Sequence, residues 1–224
     1  MNEGSSPARA GRVILVGTPI GNLGDLSPRA VSTLAGADVI CCEDTRRTGR
    51  LLQSAGIIAS RLLALHQHNE AAASEQAVRL ASEGATVAVV TDAGMPGISD
   101  PGARIVETAV AAGVLVEVVP GPSAFVAALV ASGLDAARFC FEGFLPPKGG
   151  ERTARLSVLA NETRTVVLYE APHRVAKTLH DLRAVCGGER RVSVGRELTK
   201  LHEEIWRGNL DGALAWVSAA PPRG

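Results

Sequence analysis

Four short segments combine glycine and proline with small polar side chains, a composition that lets a ligand approach the main chain and hydrogen-bond to it. They read G-T-P-I-G-N-L-G-D (17–25), E-D-T-R-R (43–47), D-A-G-M-P-G-I-S-D-P-G (92–102) and P-G-P-S-A (120–124). Asp100 and Ser123 each stand where a helix is expected to begin, and the unpaired N–H groups of a first helical turn receive ligand oxygens. Three later segments are more charged: F-L-P-P-K (144–148), Y-E-A-P-H-R (169–174) and R-E-L-T-K (196–200). Taken singly, Arg174, Arg196 and Lys200 read as solvated surface charge. Their placement in loops with Glu170 and Glu197 points instead to a polar cleft wall.

Several familiar chemistries fail on spacing. Glycines 17, 21 and 24 give G-x-x-x-G-x-x-G, not the G-x-G-x-x-G turn that seats a dinucleotide pyrophosphate, and no G-K-[ST] phosphate loop occurs. Glu43 lies about where a ribose-binding acid would stand, which leaves an NAD(P) oxidoreductase as a weak rival. His66 and His68 near Glu70 lack a third ligand at a useful spacing, so no metal site is expected. His173 and His180 are seven apart, on one face of a helix, and no Ser-His-Asp arrangement can be defended. Cys41 and Cys42 are adjacent while Cys140 and Cys186 stand alone, so all four thiols are expected to be reduced and structural, as in a cytosolic protein.

The elements that must hold these loops follow from periodicity. Continuous apolar or β-branched runs predict strands over 13–16, 38–42, 62–65, 86–91 and 114–119, and unbroken apolar runs mark strands covered on both faces. Helices are expected between them: one opened by Ser27-Pro28, one over 45–54, one over 70–82 closed by Gly84, and one opened by Asp100-Pro101. This βα alternation predicts a parallel, doubly wound sheet whose carboxyl ends gather the first four loops in one crevice. After a break at 120–122 a helix runs over 123–132. The second half then repeats: strands over 138–144, 165–170, 191–196 and 203–206, helices over 151–160, 172–185 and 211–217, with an antiparallel placement of the last strand left open. The expected division is a tail over 1–11, an N-terminal α/β domain over 12–120 and a C-terminal α/β domain over 121–224.

Lys and Arg number 23, as do Asp and Glu, and 46% of residues are hydrophobic. That excludes intrinsic disorder and disfavours a strongly basic nucleic-acid binder. Only 3% are aromatic, which weakens the idea of a base-stacking platform. No apolar run reaches the ~20 residues of a bilayer span, and the chain does not open like a signal peptide, so a cytoplasmic protein is expected. Residues 1–120 carry 9 basic and 12 acidic side chains, net −3, and residues 121–224 carry 14 and 11, net +3. Two domains of opposite sign with a small-molecule cleft between them are therefore expected.

Eight motifs in order carry a resemblance to a known family. Three of the segments above lengthen to C-E-D-T-R-R-T (42–48), F-E-G-F-L-P-P-K (141–148) and R-E-L-T-K-L-H-E-E (196–204), and H-Q-H-N-E (66–70) is the eighth. Over about 12–210 the chain resembles the tetrapyrrole-methylase superfamily of S-adenosylmethionine enzymes, the class III methyltransferases. Within it the resemblance is to the bacterial branch that methylates the ribose 2′-hydroxyl of a cytidine in 16S ribosomal RNA of the small ribosomal subunit. It implies two α/β domains with S-adenosylmethionine folded between them, no metal, and a homodimer. It also implies cofactor contacts at Pro19, Asp92, Met95, Ser123, Ala124, Leu145, Ala171 and Thr199. Ribose methylation implies a base within reach of a hydroxyl, for which Glu170, Asp100 and Lys200 are the candidates. Phosphate contacts would fall to Arg46, Arg47, Lys148, Arg152, Arg174 and Arg196, which position RNA without reading its sequence. Met95 and Gly97 depart from the Thr and Leu expected in that loop, and relatives are expected to continue past residue 222 with a further strand and helix. A tetrapyrrole methylase of the same fold, or a non-catalytic ribosome-associated module retaining the cofactor pocket, are the rival readings.

Overall fold

The computed structural model describes residues 10–66 and 68–219. Most of the expected tail and the last five residues lie outside them, as does Gln67. The chain divides into two compact units, one ending at Pro122 and the other beginning at Ser123. Among the described residues no helix is long and apolar enough to cross a membrane.

The first unit is a five-stranded parallel sheet in the order β3-β2-β4-β1-β5. Its strands are β1 (Arg12–Val16), β2 (Val39–Cys42), β3 (Leu62–Ala64), β4 (Thr86–Val89) and β5 (Leu115–Val119). Between them run α1 (Pro28–Ala35), α2 (Thr45–Ser54), α3 (Glu70–Ser82) and α4 (Ala103–Ala111). The strands read as apolar runs because both faces are covered. Val13, Val39, Cys41, Val87 and Val89 pack with Ala77, Val78, Ile105 and Ala109 on one side. Ile14, Val16, Ile40, Cys42, Ala88 and Val90 pack with Ala30, Leu34 and Leu52 on the other. Successive residues of a strand point to opposite faces, so the adjacent cysteines serve two different cores. Both are free thiols, and burial pushes Cys41 up to about 12, keeping it protonated.

Local signals act as anticipated at α1, where the Ser27 hydroxyl accepts from Ala30 N at 3.1 Å and Pro28 takes the first position. They fail at α4. This helix begins two residues after Asp100-Pro101, with Gly102 at φ +133° as its N-cap. The Gly102 N–H donates to Glu70 Oε1, 2.9 Å away at the start of α3. A contact between helices, not the Asp-Pro pair, sets the start.

The second unit contains α5 (Ala124–Ala131), β6 (Phe139–Phe144), α6 (Gly149–Ala160), β7 (Thr165–Tyr169), α7 (Val175–Cys186), β8 (Arg191–Arg196), β9 (Glu204–Asn209) and α8 (Leu210–Ala219). Strands β6 and β7 pair in parallel, and β8 and β9 pair antiparallel. Leu179, Leu210, Ala213 and Val217 form one core, flanked by Trp206 and Trp216. Leu145, Leu156 and Leu159 form a second, against Val166 and Leu168.

Candidate active site

In the sheet order β3-β2-β4-β1-β5 the connection from β1 leads to one side and that from β4 to the other. Open α/β sheets bind ligands at such a switch point, outside the carboxyl ends of the strands. Here the loops leaving β1, β4 and β5 are locked together. Thr18 N donates to Gly94 O at 2.9 Å and Gly94 N to Thr18 O at 3.1 Å, an isolated bridge between the first and third loops. The Thr18 hydroxyl, fully buried, donates to Thr91 O at 3.2 Å. Gly17 N donates to Val119 O at 3.0 Å, and a Cβ on Gly17 would lie 2.6 Å from Gly121 and 2.7 Å from Met95 Sδ. Glycine is required at both 17 and 121 because the two main chains touch.

Asp92 leaves β4 beside this junction. Its Oδ2 pairs with Arg47 Nη1 at 3.0 Å, while its Oδ1 is buried with no hydrogen-bond partner among the described residues. Pro19 is buried and Met95 half-buried against the same loops. Asp100 is pushed up to about 6, first by burial and then by the neighbouring charges of Glu43 and Asp92. Ser99, next to it, holds φ +60°, a left-handed conformation that costs a non-glycine residue energy and clusters at functional loops. Asp44 caps α2, accepting from Arg46 N and Arg47 N, and its bonds to Arg46 hold its carboxyl down at about 2. His66 and His68 meet edge to face at 6.1 Å, and no cluster that could hold a metal occurs among the described residues.

In the second unit several expected site residues are structural. Arg152 is 3% exposed. Its guanidinium donates to Asp181 Oδ2 at 2.9 Å, Pro146 O at 2.9 Å and the Thr178 hydroxyl at 2.9 Å. Buried and tied to three acceptors, it is out of reach of a phosphate, which corrects its assignment as an RNA contact. Glu170 Oε1 accepts from Ala171 N (2.9 Å) and forms an ion pair with Arg174 Nε (3.1 Å), while Oε2 accepts from the Thr178 hydroxyl (2.6 Å). With both oxygens engaged it is not a free base. Arg174 also donates to Leu145 O at 2.6 Å. This partly buried network pins the loops after β6 and β7, which carry Leu145 and Ala171.

The other positions are more open. Lys200 pairs with Glu197 at 2.7 Å and Arg196 with Glu204 at 2.6 Å. Glu197 and Thr199 both have positive φ, and the Thr199 hydroxyl is buried without a partner. Ser123 occupies the N-cap of α5 without a side-chain cap bond, and Ala124 is the helix's first residue. Lys148 is exposed and forms no ion pair among the described residues. Thr18 as the lock between loops had no sequence signal beyond its place in a glycine-rich loop, because its partners lie more than 70 residues away.

Residues 12–213 match the family described as tetrapyrrole (corrin/porphyrin) methylases. The chain is 48% identical over 214 residues to the Synechocystis protein named ribosomal RNA small subunit methyltransferase I, covering 96% of this chain and 76% of that one. It is 52% identical over 205 residues to the Xylella fastidiosa protein of the same name, covering 92% and 73%. Among solved structures, the Thermus thermophilus uroporphyrin-III C-methyltransferase complexed with S-adenyl homocysteine superposes with a TM-score of 0.65 at 20% identity, covering 96% and 93%. A diphthine synthase superposes with a TM-score of 0.70 at 14% identity, covering 91% and 83%; both likenesses concern the fold.

Proposed function

The chain belongs to the tetrapyrrole (corrin/porphyrin) methylase family, and on that premise we propose that it transfers a methyl group from S-adenosylmethionine to the 2′-hydroxyl of a cytidine ribose in 16S ribosomal RNA. The observation that carries this reading is the locked junction of the β1, β4 and β5 loops beside the unpartnered, buried Oδ1 of Asp92. The names of the relatives support ribosomal RNA of the small subunit as the substrate. The eight-motif resemblance supports the cytidine ribose.

The residues at the junction fit the cofactor. A buried carboxylate oxygen lacking a donor suits a ribose hydroxyl or an ammonium, and Pro19, Ile20 and Met95 offer apolar walls to an adenosine. When bound, S-adenosylmethionine supplies an electrophilic methyl carbon on a sulfonium. The chain's task is alignment, since holding reactants in line accounts for much of the acceleration of such a displacement. Asp92 would orient the cofactor, with Pro19 and Met95 beside it. Ser123, Ala124, Leu145, Ala171 and Thr199 are the proposed contacts from the second unit. Of the three candidate bases, Asp100 alone has no side-chain ion pair or hydrogen bond among the described residues. A pKa raised toward the working pH suits it to accept the 2′-hydroxyl proton.

The proposal extends to a cytoplasmic enzyme acting as a homodimer, supported by family analogy and by exposed Leu115 and Val118 on edge strand β5. The test is transfer of labelled methyl from S-adenosylmethionine to small ribosomal subunits lacking the modification, followed by nucleoside digestion. Label in 2′-O-methylcytidine is expected. Label on a base, or transfer to a tetrapyrrole alone, overturns the reading.

A further inference from the structure

The chain holds four phenylalanines and one tyrosine, and all five gather in one row of the second unit. Phe125 on α5 lies 6.3 Å from Phe139 and stacks on Phe141 at 4.5 Å between ring centroids. Phe141 meets Tyr169 edge-on at 5.1 Å, and Tyr169 meets Phe144 at 5.5 Å. The low aromatic content that weakened a stacking platform in the sequence is thus concentrated where one could be built.

The row depends on an irregularity. Phe139 and Phe141 share a face of β6 by the period of two, which would send Phe144 to the other face. The register against β7 shifts between Phe141 and Gly143, and Gly143 takes φ +61°. That bulge inserts one extra residue, so Phe141 and Phe144 both reach Tyr169. Bulges of this kind re-aim side chains beside functional sites. Their product here is a ring that is 53% exposed yet held from behind by Tyr169, whose hydroxyl accepts from Phe125 N at 3.3 Å.

We infer that Phe144 is a stacking surface for an unpaired nucleobase of the RNA substrate, with Lys148 taking an adjacent phosphate. This rests on the RNA methyltransferase reading and adds a contact to it. Three features favour a nucleotide over an apolar protein segment. Among the described residues the exposed aromatic surface is confined to Phe144 and the less open Phe139, so the open aromatic face is about one ring, the scale of a single base. Lys148 is an exposed cation without an ion-pair partner among the described residues, four positions on at the N-cap of α6, the positive end of that helix. Phe144 also directly precedes Leu145, a proposed cofactor contact. Sequence-specific RNA recognition typically splays bases out and stacks them on aromatic rings.

The test compares the wild type with Phe144→Ala, Phe144→Leu and Phe144→Trp on small subunits lacking the methyl group. Stacking on one ring corresponds to about 5- to 150-fold in affinity. Phe144→Ala and Phe144→Leu are therefore expected to raise KM for the particle at least about fivefold, with kcat and the S-adenosylmethionine Kd little changed, while Phe144→Trp restores KM. Lys148→Gln should lower the slope of log affinity against log salt by about one. An unchanged KM in Phe144→Ala, full rescue by Leu, or a matching loss of cofactor affinity each overturns the inference. Filter binding of the same particles is measured in parallel, so that it does not depend on turnover. A wild type that binds RNA through Phe144 yet transfers no methyl would sink the catalytic reading and leave the stacking contact standing; binding indifferent to Phe144 would do the reverse.

Discussion

Replacing Arg152 with alanine separates two accounts of that residue, a phosphate contact on the surface and a buried structural strut. The guanidinium is 3% exposed and bonds Asp181, Pro146 O and the Thr178 hydroxyl, each at 2.9 Å. Removing one partner of a buried pair costs about 3–5 kcal/mol. Asp181 keeps Lys177 at 2.9 Å and Thr178 keeps Glu170 at 2.6 Å, which places the expected loss at the low end, about 3 kcal/mol. At about 4–8 °C per kcal/mol for a unit of this size, the unfolding midpoint falls by about 12–24 °C. Trp206 and Trp216, 5.8 Å apart and the only tryptophans, both lie in the second unit, so urea unfolding followed by tryptophan fluorescence reports on that unit. Arg152→Lys should recover little, because an ammonium cannot span three divergent acceptors as the planar fork does. A loss below about 1 kcal/mol, within the range of an ordinary exposed ion pair, together with a reduced salt dependence of RNA binding, would refute the strut.

Other outcomes follow from the first unit. Gly17→Ala places a methyl 2.6 Å from Gly121, and forcing those main chains apart should cost about 1–3 kcal/mol and abolish the thermal stabilisation given by S-adenosylhomocysteine. Asp92→Ala should weaken cofactor binding in calorimetry, whereas Arg46→Ala should leave it intact and lessen the salt dependence of RNA binding; the reverse pattern would exchange their roles. Asp100 holds its proton more tightly folded than unfolded, since its pKa stands at about 6 against an ordinary 3.8. Its contribution to stability is fully present below about pH 4 and is lost as pH rises through about 6, so Asp100→Asn should be the more stable protein at pH 7 but not at pH 4. If Asp100 takes the hydroxyl proton, the wild-type rate rises through about pH 6 and the Asn variant loses that inflection; an unaltered profile removes it from the mechanism.

The first unit was legible because its strands are buried on both faces and therefore spell continuous apolar runs, each ending in a loop whose glycines mark close approach. What escaped was non-local. The start of α4 is set by Glu70, 32 residues upstream, and the Asp100-Pro101 pair that resembles a helix opening lies in a turn before it. Arg152 carries a signal of burial in the sequence. It stands four and seven residues before Leu156 and Leu159, and all three are the buried residues of α6. Helical periodicity placed it on the core face, and its charge alone suggested solvent. The aromatic row could not be read at all, since it depends on a bulge at Gly143 and on partners in three separate elements.

Ion pairing at the candidate phosphate contacts bears on how RNA is held. Of the six cations first assigned to phosphate, Arg46 pairs with Asp44, Arg47 with Asp92, Arg152 with Asp181, Arg174 with Glu170 and Arg196 with Glu204. At these five positions the charge is cancelled side chain by side chain, within a chain whose halves are net −3 and net +3. Exposed pairs yield readily, so Arg46 can still turn to a phosphate, but it then leaves Asp44 repelling the same phosphate. Each contact neutralised contributes about 0.9 to the salt slope on a duplex and about 0.7 on a single strand. With Lys148 and one or two exchangeable arginines, the slope should be about 2 and the electrostatic share of affinity correspondingly small. A substrate held so weakly by charge must be held by shape and by stacking. An exposed ring braced from behind, as Phe144 is by Tyr169, supplies the stacking part without adding net charge.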